Sequence, residues 1–164
     1  MRFSTRSRYA IRAMIDLATH ETGSAVPRAD IAWRQSISAD YLAQLFRDLH
    51  AAGVVEGIKG PGGGYRLSRT ISQISAADIV QAVEGPITVV NCQAIHAGMP
   101  ESRLDKCPAH WLWSQVTEAI IEVLRGITLE DLVARTADCP DWFAQACAAV
   151  SVIDAESEIG HPML

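Results

Sequence analysis

Residues 36–67 read SISADYLAQLFRDLHAAGVVEGIKGPGGGYRL, and this stretch decides the fold. Over residues 38–52 the apolar side chains Leu42, Leu45, Phe46 and Leu49 recur at spacings of three and four, which gathers them on one stripe of a helix. Gln44, Arg47, Asp48 and His50 fall on the other faces. Ser38 is an N-cap residue, and Gly53 supplies a stop with left-handed freedom. Two short β-branched runs then flank Gly60-Pro61-Gly62-Gly63-Gly64, the pattern of a hairpin with a glycine tip. A purely structural turn is the plainer alternative for the tip alone. A phosphate-cradling nucleotide loop requires Lys-Ser or Lys-Thr after its last glycine and then a helix, whereas Tyr65-Arg66-Leu67 continues as a strand. Upstream, Pro27 suits the first position of a helix over residues 27–34, and residues 35–37 turn the chain into the next helix. Helix, short turn, helix and wing is the arrangement that lays a second helix in a DNA major groove.

Working outward, residues 5–20 form a first helix with Tyr9, Ala13, Met14 and Leu17 inward. Ser75-Ala76-Ala77-Asp78 resembles a capping box, opening a helix that runs to Val83 and stops at Gly85-Pro86. A loop over residues 86–107 follows, then a long helix over 108–125, another capped by Thr128 and reaching Ala137, and a last one over 141–150. The expected fold is mainly α with a small β-hairpin. It divides into a winged-helix domain (1–85), a cysteine-bearing sensor loop (86–107), a dimerisation helix with C-terminal helices (108–150) and a loose tail (151–164). In the long helix Leu112, Val116, Ala119, Ile120, Val123 and Leu124 form a stripe, read as the seam with a second copy of the chain. A twofold dimer matches the symmetry of a palindromic site.

The 164 residues, 49% of them hydrophobic, suffice for one core and an added dimerisation element. No apolar run approaches a membrane span and the N-terminus lacks a signal-peptide core, so a cytoplasmic protein without membrane contact is expected. Four cysteines are too few for a disulfide scaffold. The net charge of −5 conceals an asymmetry: residues 1–69 hold ten Lys/Arg against six acids, a net of +4, and the remainder carries −9. Positive charge therefore sits where phosphate contacts are needed. No catalytic triad or pair of catalytic carboxylates is evident, and a non-enzymatic role follows.

Cys92-Gln93-Ala94-Ile95-His96 and Cys107-Pro108-Ala109-His110 are two clusters of soft ligands separated by a polar loop. Their composition suits metal, and read as Cys-x3-His and Cys-x2-His the four could bind zinc tetrahedrally. Glu101 and Asp105 are weaker candidates. Cys147, among alanines, reads as packing, and Cys139 is assigned no role.

Arg8-Tyr9-Ala10, Tyr41-Leu42-x-Gln44-Leu45-Phe46, Gly53-Val54-Val55 and above all Gly60-Pro61-Gly62-Gly63-Gly64-Tyr65 resemble the winged-helix regulator family typified by IscR, the iron-sulfur cluster regulator, whose relatives include NsrR and CymR. The resemblance spans residues 1 to about 137. It implies a homodimeric bacterial transcription factor reading a pseudo-palindromic double-stranded operator, with a [2Fe-2S] cluster on three cysteines and a histidine. Cys92 matches the first cysteine, and Cys107 with His110 matches the final pair. The middle cysteine has no counterpart here, and His96 is its candidate replacement. Some relatives supply acidic or histidine ligands from first-helix positions equivalent to Arg8 and Arg12, which a guanidinium cannot imitate. A cluster-free regulator using thiol oxidation, zinc or a protein partner is the alternative, and a small iron-sulfur electron carrier ranks below it.

The expected DNA contacts follow from the same alignment of motifs. Gln44 addresses adenine, with Ser38, Asp40 and Arg47 on the same helix. Arg2, Ser4, Arg8 and Tyr9 contact phosphate, while Lys59, Gly60, Gly62, Gly63 and Arg66 form the wing surface. In the IscR type a glutamate stands at the position of Ala43 and helps select the operator class, so the resemblance implies weaker discrimination here.

Overall fold

The computed structural model describes residues 4–91 and 106–136. Its helices are α1 (Thr5–His20), α2 (Arg28–Gln35), α3 (Ala39–Ala51), α4 (Ala76–Glu84), α5 (Pro108–Arg125) and α6 (Leu129–Thr136). Between α3 and α4 lie β1 (Val55–Ile58), β2 (Gly64–Leu67) and a single 3-10 turn (Ile71–Gln73). A mainly helical chain with one two-stranded hairpin is therefore the observed fold class.

Local chemistry sets most of these boundaries. Ser38 caps α3 by accepting the Tyr41 N–H, and Ser75 with Asp78 forms a reciprocal capping box that opens α4. Thr128 and Asp131 repeat the device at α6. Pro27 departs slightly from expectation. It is the N-cap of α2, not its first helical residue, because its ψ of 135° is extended and the helix begins at Arg28.

The core forms where α1, α2, α3, α4 and the hairpin meet. Ala10, Met14 and Leu17 of α1, Ile31 of α2, and Leu42, Leu45, Phe46 and Leu49 of α3 are all fully buried. Each large apolar side chain so buried stabilises the fold by about 1.5–3 kcal/mol relative to exposure. Leu129 of α6 joins them, drawn in by backbone bonds from Ala76 N–H to the Ile127 carbonyl and from Leu129 N–H to the Ile74 carbonyl. The intervening α5 buries none of its side chains, although it touches α4.

The hairpin pairs Val55 with Leu67 and Ile58 with Gly64 in antiparallel register. At its tip the Gly63 N–H bonds to the Gly60 carbonyl across Pro61 and Gly62, and Gly62 has a φ of +76°. That is a type II turn, whose third position requires left-handed backbone. Gly64 is needed for another reason: a Cβ there would collide with the Val26 carbonyl. Tyr65 and Val26 exchange both backbone hydrogen bonds, at 2.8 and 2.9 Å, tying the hairpin to the residues just before α2.

Among the described residues no helix is long and apolar enough to cross a membrane. The expected helix over residues 141–150, the tail and the greater part of the cysteine-bearing loop lie outside the described residues.

Candidate nucleic-acid interface

α3 divides cleanly into two faces. Its stripe of Leu42, Leu45, Phe46 and Leu49 faces the core, which leaves Asp40, Gln44, Arg47 and His50 exposed, with Ser38 exposed at the N-cap. Beside the exposed face runs a groove bounded by the start of α2, the wing and α3, whose lining includes Arg28, Arg47, His50, Lys59 and Tyr65. Gly63 also lines it, while Gly60 and Gly62 are exposed at the wing tip. A cleft with three permanent cations and a histidine suits the phosphate backbone of a duplex.

Arg28 escaped the sequence reading of this surface because it comes from another helix and meets α3 only in the fold, whereas His50 was read on the exposed faces of α3 but given no contact role. The available signal was Arg28 directly after the helix-opening Pro27.

The other expected DNA contacts are held in specific ways. Ser4 caps α1, and both its hydroxyl and its N–H donate to the Glu84 carboxylate, which also accepts from the Ser7 hydroxyl. Partial burial opposes ionisation of Glu84, but these donors outweigh it and hold the carboxyl below its ordinary pKa. Arg8 is exposed, with its guanidinium carbon 5.9 Å from the centre of the Tyr9 ring. Tyr9 is half-buried and meets Tyr41 edge to face at 5.8 Å. On the wing, Arg66 lies opposite Glu56 in register and donates to its carboxylate at 2.9 and 3.0 Å. Lys59 is exposed, and Arg2 lies outside the described residues.

The turn before α3 is unusually well held. Ser36 adopts a φ of +54°, the single non-glycine residue with positive φ among those described. Its N–H bonds to the Trp33 carbonyl and the Ile37 N–H to the Ala32 carbonyl, the paired bonds of a Schellman ending to α2. The nearly buried Asp16 of α1 accepts from Arg34 and from the Gln35 side chain. The bond to Asp16 raises the Arg34 pKa further against the cost of burial.

Of the proposed metal ligands, Cys107 and His110 are described. Cys107 is the N-cap of α5 and makes no side-chain cap bond, so its sulfur is not engaged in closing the helix. His110, three residues on, is half-buried and lines a cavity of about 320 Å³ with Thr88, Val90, Asn91, Trp113 and Thr117. Asn91 is the residue that precedes Cys92 in the chain. The Val89 N–H donates to the Thr117 hydroxyl at 3.2 Å, fixing this strip of chain against α5. Among the described residues no three His, Cys, Asp or Glu side chains gather as a metal site. Cys92, His96, Glu101, Asp105, Cys139 and Cys147 lie outside the described residues. A soft thiol and an imidazole one helical turn apart form a donor pair whose chemistry fits iron-sulfur or zinc.

Much of the apolar stripe of the long helix is uncovered among the described residues. Leu112, Ala119 and Val123 are exposed and Val116 and Ile120 half-buried, while Trp111, absent from the expected stripe, is 63% exposed.

Comparison with known proteins agrees with this architecture. Residues 3–135 match the Rrf2 family, described as an iron-dependent transcriptional regulator. The HTH-type transcriptional regulator IscR of Xenorhabdus nematophila is 41% identical over 133 residues, covering 81% of this chain and 79% of its own. The HTH-type regulator ORF2 of Azotobacter vinelandii is 43% identical over 136 residues, covering 83% and 81%. Among solved structures, CymR, the global cysteine regulator of B. subtilis, superposes with a TM-score of 0.65 at 33% identity over 82% of this chain and 98% of that one. T. potens IscR gives 0.62 at 32% identity over 83% and 88%. With its winged helix-turn-helix and a family match spanning most of its length, the chain belongs to the Rrf2 family of DNA-binding transcriptional regulators, not to an enzyme family.

Proposed function

We propose that the protein is a cytoplasmic homodimer that reads a pseudo-palindromic operator and adjusts that reading to iron-sulfur or redox status. The observation that carries the reading of DNA is the exposed Gln44 and Arg47 face of α3 beside the groove shared by Arg28, His50 and Lys59. Gln44 addresses an adenine edge, and the cations hold the backbone in register. Dimerisation is supported by the uncovered stripe of α5, whose twofold pairing would present two recognition helices.

Cys92, His96, Cys107 and His110 would hold a [2Fe-2S] cluster, which supplies a one-electron, ligand-exchangeable centre when bound. The chain's own residues link that neighbourhood to the DNA side. Val89 is bonded to α5, Ile87 is buried, and Glu84 at the end of α4 grips Ser4 and Ser7 of α1. A change around Cys107 and His110 thus has a short mechanical route to the first helix.

The test is anaerobic purification with visible absorption, iron and acid-labile sulfide assays, alongside selection of duplexes from a random pool. The expected result is coloured protein that loses iron and sulfide in Cys107→Ala and His110→Ala. Selection should yield a two-half-site sequence whose binding falls by about 1–3 kcal/mol at one base pair in Gln44→Ala. Colourless protein with stoichiometric zinc would replace the cluster with a zinc site while leaving the reading of DNA intact. Absence of any sequence preference would end the operator proposal.

A further inference from the structure

The turn between α2 and α3 aims the recognition helix, and its conformation is costly. A serine with positive φ is in a conformation that L side chains disfavour, so the surrounding structure must hold it. The Schellman bonds close it from within. From outside, the restraint reaches across from α1. Arg12 donates from Nε to the Gln35 Oε1 at 3.1 Å and from a terminal nitrogen to the Gln35 backbone carbonyl at 2.9 Å. That carbonyl is among those left without a partner at the end of a helix, and a cation there also complements the helix dipole. The Gln35 amide in turn donates to Asp16 at 2.9 Å, and Arg34 holds the same carboxylate in a forked arrangement at 2.6 to 3.1 Å. Two helical turns of α1 therefore grip both the main chain and the side chain of the residue immediately before Ser36.

We propose that Arg12 is a positioning residue for DNA reading: its fork on Gln35 fixes the α2–α3 turn and hence the angle at which α3 presents Gln44 to the bases. The inference rests on the reading of DNA by α3 proposed above. Arg12 touches no base. It acts through Gln35 and Ser36, so its geometry matters more than its charge. A fork that bonds two acceptors of one residue is reproduced by no other side chain, and lysine keeps the charge while losing the planar pair of donors.

The experiment compares wild type, Arg12→Lys and Arg12→Ala on two duplexes: one recovered from a random pool by the wild-type protein, and a scrambled version of it. Dissociation constants are read at fixed salt, together with melting temperature and amide exchange. In both variants the preference for the selected duplex should fall by about tenfold. In Arg12→Lys, binding to the scrambled duplex should stay within about twofold of wild type, because the charge is kept. Exchange should accelerate at the Ser36 and Ile37 amides while the amides of the buried α3 stripe stay protected, separating a loosened turn from general unfolding. A wild-type preference in Arg12→Lys would overturn the proposal, as would equal loss on both duplexes in Arg12→Ala, the mark of a phosphate contact. Uniform loss of protection across α3 would also overturn it. A wild-type protein with no preferred duplex would remove the reading of DNA itself, and this inference with it.

Discussion

In α3, Leu42, Leu45, Phe46 and Leu49 are fully buried against α1 and the wing; in α5, a longer helix with a comparable stripe, no side chain is buried. Periodicity alone does not separate the two, since both patterns say only that one face avoids water. The difference lies in the ends. α3 is closed in by a turn held from α1 and by strands that follow directly, whereas α5 follows the long segment that begins after α4 and returns to the core only through α6. One stripe is satisfied by described residues of its own chain, and the other, on the reading proposed above, is covered by a second copy.

Mutations on the two stripes should fail in different ways. Phe46→Ala should cost about 3–5 kcal/mol of folding free energy, visible as a large fall in the denaturation midpoint. Val123→Asp, on the exposed stripe, should leave the thermal unfolding of the winged-helix core nearly unchanged but yield monomers in sedimentation. With bivalency lost, operator affinity should drop by about a hundredfold. If Val123→Asp stayed dimeric at full affinity, the contrast between the helices would disappear.

A smaller effect is expected in the groove. Arg28→Ala should weaken binding by a similar factor on selected and scrambled duplexes and reduce the slope of log affinity against log salt by about one. A loss confined to the selected duplex would instead give Arg28 a base-reading role.

The smallest effect concerns acid. The folded-state pKa of Glu84 lies below its ordinary value of 4.5, so its stabilising bonds to Ser4 and Ser7 are complete above that value and are lost as pH falls through the lowered folded-state pKa. Glu84→Gln should flatten this part of the acid limb in urea midpoints measured against pH. Unchanged curvature would mean that the carboxylate contributes nothing there.

The elements whose ends are set by neighbouring residues were legible in the sequence. α4 and α5 begin or end where Ser75, Asp78, Gly85 and Pro108 put them, because capping and proline geometry act within one turn. The pairings across the fold were not. Nothing local links Arg12 to Gln35, Glu84 to Ser4 or Val26 to Tyr65, and each joins residues more than twenty positions apart. The glycine run shows the same limit: Gly62 was legible as a turn residue, while Gly64 is required by the backbone of Val26, invisible without the fold. In the candidate interface the face of α3, His50 included, could be read directly, but Arg28 joins it only in three dimensions. The stripe of α5 could be seen, but not what covers it.

The Val26–Tyr65 bridge has a consequence for what the protein can grip. Because main-chain bonds tether the hairpin to the residues just before α2, the wing and α3 are held like the two jaws of a caliper. On the proposed reading of DNA, jaws of constant opening would favour one duplex geometry over another. The deep, narrow major groove of an A-form duplex does not admit a helix, so a helix docked as proposed would sort molecular form before any base is read.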